Sequence, residues 1–220
     1  MDWNFYLHDL IPALNEGLQL TILLILPSAT LGVVGGIFFG VIRAFGRPSL
    51  KRFGNSFAAL FRGTPLIVQL MVMYFGLPNI GIRFSPYVAA VLTFSLCSAA
   101  YQSEYVRGGL LSIQRGQMHA AKALGFTQMQ TLFTVIMPQA IRNALPGCGN
   151  EIIYLIKYSS LAYVVTCVEL TGEARGVASW SFRFTECFFV AGMYYLVMVT
   201  IADFLLKRVE KKIRIPGFGN

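Results

Sequence analysis

The chain has 220 residues, of which 55% are hydrophobic and 13% charged, with a mean hydropathy of +0.61. A soluble globular domain with these values would have too little polar surface left to meet water, so the composition excludes that class. The formal net charge of +8 points to nucleic acid only if the basic residues form one surface; here they cluster between apolar segments, as on the inner side of a membrane protein.

Met1 to Gly17 carries Asp2, Asp9 and Glu16 but no Lys or Arg. A cleavable signal peptide starts with positive charge, so this stretch is expected to be a retained, translocated N-terminus. Leu18 to Ile42 has no charged residue and is long enough to cross a hydrocarbon core of about 30 Å. Gly32, Gly36 and Gly40 recur there every fourth residue, a stripe on which a helix of the same bundle, or of a second copy, can pack closely. Arg43, Arg47, Lys51, Arg52 and Arg62 follow in one short connection, which marks that side as cytoplasmic.

The second span is harder to place, because the apolar run from Leu66 to Leu77 is shorter than the roughly 20 residues a crossing needs. A helix is expected from near Phe57, disturbed at Gly63, Thr64 and Pro65, with Gln69 inside the membrane and turned towards protein. Pro78 to Pro86 reads as an outer loop. Tyr87 to Val106 reads as a third span, with Glu104 near its inner end.

Glu104 to Pro146 is polar, basic and longer than a turn between spans requires. Gln117 to Leu124 is rich in helix formers, and Gly125 stands where a left-handed cap is expected. Thr127 with Gln130 has the form of a capping box; Leu132, Phe133, Val135 and Ile136 then give an apolar face, and Pro138 is expected to interrupt it. Ala120, Ala121 and Ala123 keep the first helix thin, while Arg115, Lys122 and Arg142 keep the segment in water or at headgroups. It reads as a docking peg, or as a solvated linker.

Ile152 to Val165 is apolar except for Lys157, Tyr158, Ser159 and Ser160. An intramembrane ammonium costs about 2.5 to 3.5 kcal/mol, so Lys157 should face a cavity or a partner rather than lipid. Glu151 is too far round the helix to pair with it directly; either charge can line a path. Thr166 to Arg183 reads as an outer loop suited to a soluble partner. Phe188 to Leu206 reads as the last span, with Asp203 screened by Lys207 and Arg208, before a tail holding Lys211, Lys212 and Arg214. A basic-free N-terminus and a basic C-terminus require an odd number of spans, and about five fit.

Cys97, Cys148, Cys167 and Cys187 are scattered, without metal or redox spacing, and read as small apolar packers. Neither a hydrolase constellation nor a nucleotide-binding motif is present, so no catalytic residue and no metal site are expected.

The run His119, Ala120, Ala121, then Gly125, then Val135, Met137 and Pro138 resembles the EAA loop of ABC importer permeases: EAA, three residues, G, nine residues, I, one residue, LP. Val135 and Met137 are conservative departures. His119 in place of Glu removes any salt bridge the Glu would make. RGTPLIVQL (62–70), RGGLLSIQRGQ (107–117), LGFTQMQ, MPQAIRNALP and GNEIIYLIK (149–157) are similar to the polar amino-acid branch of those permeases. Similar chains continue the Lys as KDTSL, whereas this one reads KYSSL; if that Asp normally neutralises the Lys, Lys157 is freer to meet a substrate carboxylate.

The resemblance implies an all-α integral membrane protein of about five spans, N-terminus outside and C-terminus cytoplasmic, forming one permease domain over 1–220 with a coupling loop at about 107–142. It implies import of a polar amino acid across a bacterial or archaeal cytoplasmic membrane. The implied partners are ATPase subunits that bind ATP and Mg, a second permease subunit, the same or paralogous, and an extracytoplasmic amino-acid-binding protein; the chain would hydrolyse nothing and bind no nucleic acid. Gln117, His119, Ala120, Ala121 and Gly125 would dock the ATPase. Gln69, Glu104, Glu151, Lys157 and Ser159 would line the pathway. A secondary transporter should instead show inverted repeats, which are not visible here, and a scaffold or receptor subunit would need no polar residues in its spans.

Overall fold

The computed structural model describes residues 3–113 and 115–213, the side chain of Arg115 excepted; Asp2 and Arg214, used in the charge reading, lie outside the described residues. Every regular element among the described residues is helical. Helix α1 (Ile11–Phe45) continues without a break from a π-helical turn, Phe5–Leu10, into a single helix of 41 residues. It therefore starts well before the expected Leu18. The reason is tertiary: Phe5, Leu10 and Leu14 are buried against Leu170, Ala174 and Val177, so the amphipathic N-terminal turns have a surface to fold on, while Asp9, Asn15 and Glu16 stay exposed.

Helix α2 (Pro48–Gly63) begins earlier than Phe57 and stops at Thr64 and Pro65, and α3 (Leu66–Met71) departs from it at 102°. The break follows from Pro65, which pushes Thr64 into an extended conformation (φ −112°, ψ 144°). Gln69 fastens the bend: its Nε2 donates to the carbonyls of Phe61 (2.8 Å) and Thr64 (3.0 Å), which α2 leaves without helical partners. A π-helical turn, Val72–Gly76, and a 3₁₀ turn, Leu77–Ile80, end at Gly81 with φ +88°.

Helix α4 (Pro86–Leu111) is capped by Ser85 and runs through the centre, packed by α1, α2 and α7. The glycine stripe of α1 faces it: a Cβ on Gly32 would lie 2.6 Å from Ser98 Oγ, one on Gly36 2.2 Å from Gln102 Cβ, and one on Gly40 2.7 Å from Val106 Cβ. The stripe serves packing within the chain, the first of its two sequence readings.

Helix α5 (Arg115–Ala123) ends at Gly125, φ +84°, and α6 (Gln128–Gln130) starts at a capping box whose two hydrogen bonds are both made. A π-helical turn, Thr131–Ile136, leads directly into α7 (Met137–Tyr158). Pro138 does not interrupt the helix as expected. Entry from a wide π turn places it in the first turn of α7, where a missing N–H is tolerated. A 3₁₀ segment, Ser159–Val165, follows, and the expected outer loop contains a helix, α8 (Leu170–Ser181). The carboxylate of Glu169 caps α8, accepting from the N–H groups of Thr171 (3.0 Å) and Gly172 (3.1 Å). Helix α9 (Phe184–Ile213) completes the described chain.

Two helices, 5–45 and 184–213, are long and apolar enough to cross a membrane, and the bent pairs 48–63 with 66–80 and 128–165 with 170–181 raise the number to four if each is one span. Only 6% of the apolar window of α9 is buried, leaving Phe189, Leu196, Val197, Ile201 and Phe204 exposed, as a lipid-facing helix requires. Helix α4 is not among them because Thr93, Ser95, Ser98, Gln102 and Ser103 lower its apolarity; all five are buried against protein. Cys97, Cys167 and Cys187 are buried and Cys148 half-buried; all are free thiols.

Candidate functional site

Two regions collect the chemistry. The first is the α5–α6 segment. Its sharp reversal is local: Gly125 N–H donates to the Lys122 carbonyl and Phe126 N–H to that of Ala121, closing the end of α5 around a left-handed residue. Thr127 Oγ1 accepts from Gln130 N–H (3.3 Å), and Gln130 Oε1 accepts from Thr127 N–H (2.9 Å). His119, Ala120 and Gly125 are exposed, Gln117 is half-buried, and Ala121 turns inward at 4% exposure. Beside them stand Leu124, 78% exposed, and Met129, 63% exposed, with Phe126 and Phe133. Phe133 was part of the apolar face read from the sequence; Leu124, Phe126 and Met129 were missed, although large apolar residues flanking a cap glycine in a polar segment were the signal for them.

The second region lies where α2 breaks against α4 and α7. A cavity of about 320 Å³ is bounded by Arg62, Thr64, Pro65, Cys97, Tyr101 and Tyr158. At its edge Glu104 binds three arginines. Arg43 Nη2 donates to its Oε2 at 2.6 Å, Arg62 Nη1 donates to the same oxygen at 2.8 Å, and Arg107 Nε donates to Oε1 at 3.1 Å. Arg43 also donates to Asn55 (3.0 Å) and Ser103 (2.7 Å), so one cluster ties α1, α2 and α4 together.

Glu151, on α7, is 2% exposed and within electrostatic reach of Tyr101 and Tyr158; its Oε1 has no hydrogen-bond partner among the described residues. Lys157 is exposed, its Nζ 4.9 Å from the ring centroid of Tyr154, which in turn stacks on Tyr158. Ser159 is buried and donates to the carbonyl of Ile156 (2.7 Å). The structure thus gathers Arg62, Tyr101 and Tyr158 around one space, with Glu151 buried on α7 outside its wall. It leaves Gln69 at the helix break, Glu104 among arginines and Ser159 bonded to the Ile156 carbonyl and to Tyr195. Asn143, Asn150, Tyr154 and Lys157 form one exposed polar stripe along α7. Asn143, Asn150 and Tyr154 went unnoticed in the sequence, although their seven- and four-residue spacing, which keeps them on one helix face, was the available signal.

Three comparisons bear on this architecture. The family model described as binding-protein-dependent transport system inner membrane component matches residues 32–215. The glutamine transport system permease protein GlnP of Escherichia coli (strain K12) is 36% identical, covering 97% of this chain and 98% of that one. The arginine transport system permease protein ArtQ of Bacillus subtilis (strain 168) is 35% identical, covering 93% and 94%. A solved amino acid ABC transporter with histidines superposes with a TM-score of 0.86 at 33% identity, covering 91% of this chain and 94% of its own. An inward-facing MetNI methionine ABC transporter shares the fold, with a TM-score of 0.80 at 22% identity, over 94% and 98%. With a family match across most of its length and relatives that span nearly all of it, the chain belongs to the binding-protein-dependent transport system inner membrane components.

Proposed function

We propose that the chain is the permease subunit of an ATP-driven importer for a polar amino acid, working in the cytoplasmic membrane of a bacterium or archaeon. The observation that carries this reading is the α5–α6 segment: a capped, reversed helix that presents apolar side chains outward and continues directly into the membrane helix bearing Glu151 and Lys157. The names of the relatives, permeases for glutamine and arginine, supply the substrate class.

In this reading residues 1–220 form one domain with its coupling loop at about 107–142. The spans are α1, the α2–α3 pair, α4, α7 with the segment after it, and α9, about five in all. The N-terminus lies outside and the tail inside. Gln117, His119, Ala120, Ala121 and Gly125 seat an ATPase subunit, which binds ATP and Mg; a second permease subunit closes the pathway and an extracytoplasmic binding protein supplies the amino acid. Among the pathway candidates, Glu151 and Lys157 line the route, whereas Gln69, Glu104 and Ser159 hold the helices that shape it.

The mechanism is a coupling between distant sites through packed helices. When ATP draws the ATPase subunits together, α5 moves with them. The π-helical turn and α7 follow as one continuous helix, and α7 slides on α4, changing the space around Glu151. The test is amino-acid-stimulated ATPase activity of the complete transporter in lipid, comparing wild type with Gly125→Val. A β-branched residue at φ +84° strains or reverses the cap, so stimulation is expected to vanish while insertion persists. Full stimulation in the variant would refute this role for the loop.

A further inference from the structure

Two cations, Arg62 on α2 and Lys157 on α7, are candidates to meet the substrate, and the structure distinguishes between them. Lys157 is not part of the cavity wall, whereas Arg62 is. Arg62 belongs to the cluster in which one carboxylate faces three guanidinium groups, leaving two positive charges unmatched within it. We infer that Arg62 receives the carboxylate of the amino acid in transit, an assignment that rests on the permease reading above.

The three arginines are not equivalent. Arg43 has a side chain 7% exposed and spends its remaining N–H groups on Asn55 and Ser103. Arg107 pairs with Glu104 from the same helix, away from the cavity wall. Arg62 is 38% exposed and reaches Glu104 through Nη1 alone, so most of its five donors are left for a ligand. Its guanidinium carbon lies 5.5 Å from the ring centroid of Tyr101, a contact that orients the planar group. A planar fork of donors beside a small cavity matches a carboxylate in bidentate geometry. About 320 Å³ falls in the range of small-molecule sites.

Releasing Arg62 from Glu104 is also inexpensive, because Glu104 keeps Arg43 and Arg107 when Arg62 turns away. Arg62 can thus exchange one carboxylate for another without leaving a charge bare. A Cβ added to the neighbouring Gly63 would meet nothing within 4 Å, so the backbone beside Arg62 leaves room for that exchange.

The test uses the complete transporter, with its ATPase and binding protein, in lipid vesicles, and measures uptake of each of the twenty amino acids per assembled complex together with the melting temperature. Arg62→Gln is expected to lower uptake roughly tenfold to a hundredfold, the range for a lost charge-assisted hydrogen bond, and Arg62→Lys to recover part of it. Arg43→Gln should lower the melting temperature yet leave uptake per assembled complex within about twofold of wild type. Equal losses of uptake in Arg62→Gln and Arg43→Gln would reduce Arg62 to a member of the ion cluster and overturn the inference. So would unchanged uptake in Arg62→Gln. Absence of uptake of every amino acid by the intact wild-type complex would instead overturn the permease reading itself.

Discussion

A single carboxylate holding three guanidinium groups makes Glu104 the residue on which the charge balance of the α1–α2–α4 junction turns. Removing one partner from a buried ion pair costs about 3 to 5 kcal/mol, and the 27% exposure of the Glu104 side chain reduces that towards about 2 kcal/mol. Glu104→Gln is expected to lower stability by that amount in detergent unfolding, and combining it with Arg43→Gln should add much less than the sum. Strict additivity would show that the cluster is not coupled. The glycines divide on the same physical ground. A Cβ on Gly36 would come within 2.2 Å of Gln102 Cβ, whereas one on Gly176 meets nothing within 4 Å. Gly36→Ala should therefore cost about 1 to 3 kcal/mol, and Gly176→Ala, in exposed helix, should be neutral or stabilising by up to about 1 kcal/mol. The four-residue recurrence of the α1 glycines was legible in the sequence, because helix period alone puts them on one face. Their partner was not, because nothing local says which helix faces them.

At the scale of elements, what could be read from sequence was what is decided within a few residues. The Gly125 reversal and the Thr127–Gln130 capping box were legible because their hydrogen bonds close inside one turn. Helix α8 and the early start of α1 were not, since each forms on the other: Leu10 and Leu14 bury against Leu170 and Ala174, and Leu170 N–H donates to Thr21 Oγ1 (3.1 Å). Pro138 was misread for a related reason, since the π turn that accommodates it has no simple sequence signature. The cap should therefore act locally. Thr127→Ala removes a side-chain acceptor worth about 1 kcal/mol. Because every residue of α6 is exposed, faster amide exchange is expected there, with little change in the melting temperature. Exchange that rises equally in α4 would show that the segment is integral to the core.

For the whole molecule, apolarity and burial pull the span count in opposite directions. Helix α4 lies at the centre of the bundle, and its buried hydroxyls and Gln102 lower its hydropathy. A sequence test for spans is sensitive to lipid-facing helices such as α9 and blind to a helix lined by protein. Five crossings thus rest on α4 and on counting each of the two bent pairs, α2–α3 and 128–165 with 170–181, as a single span. That count has a definite consequence for sidedness. With five crossings, Glu16 and His119 lie on opposite sides of the membrane; if the α2–α3 pair does not cross, they lie on the same side. Both residues are exposed, and three of the native cysteines are buried, so single-cysteine labelling has a low background. In intact cells a membrane-impermeant maleimide is expected to label Glu16→Cys at once and His119→Cys only after permeabilisation. Labelling of both variants in intact cells would place the docking segment outside, where ATP and its hydrolysing partners are absent, and would remove the physical basis for coupling through α5.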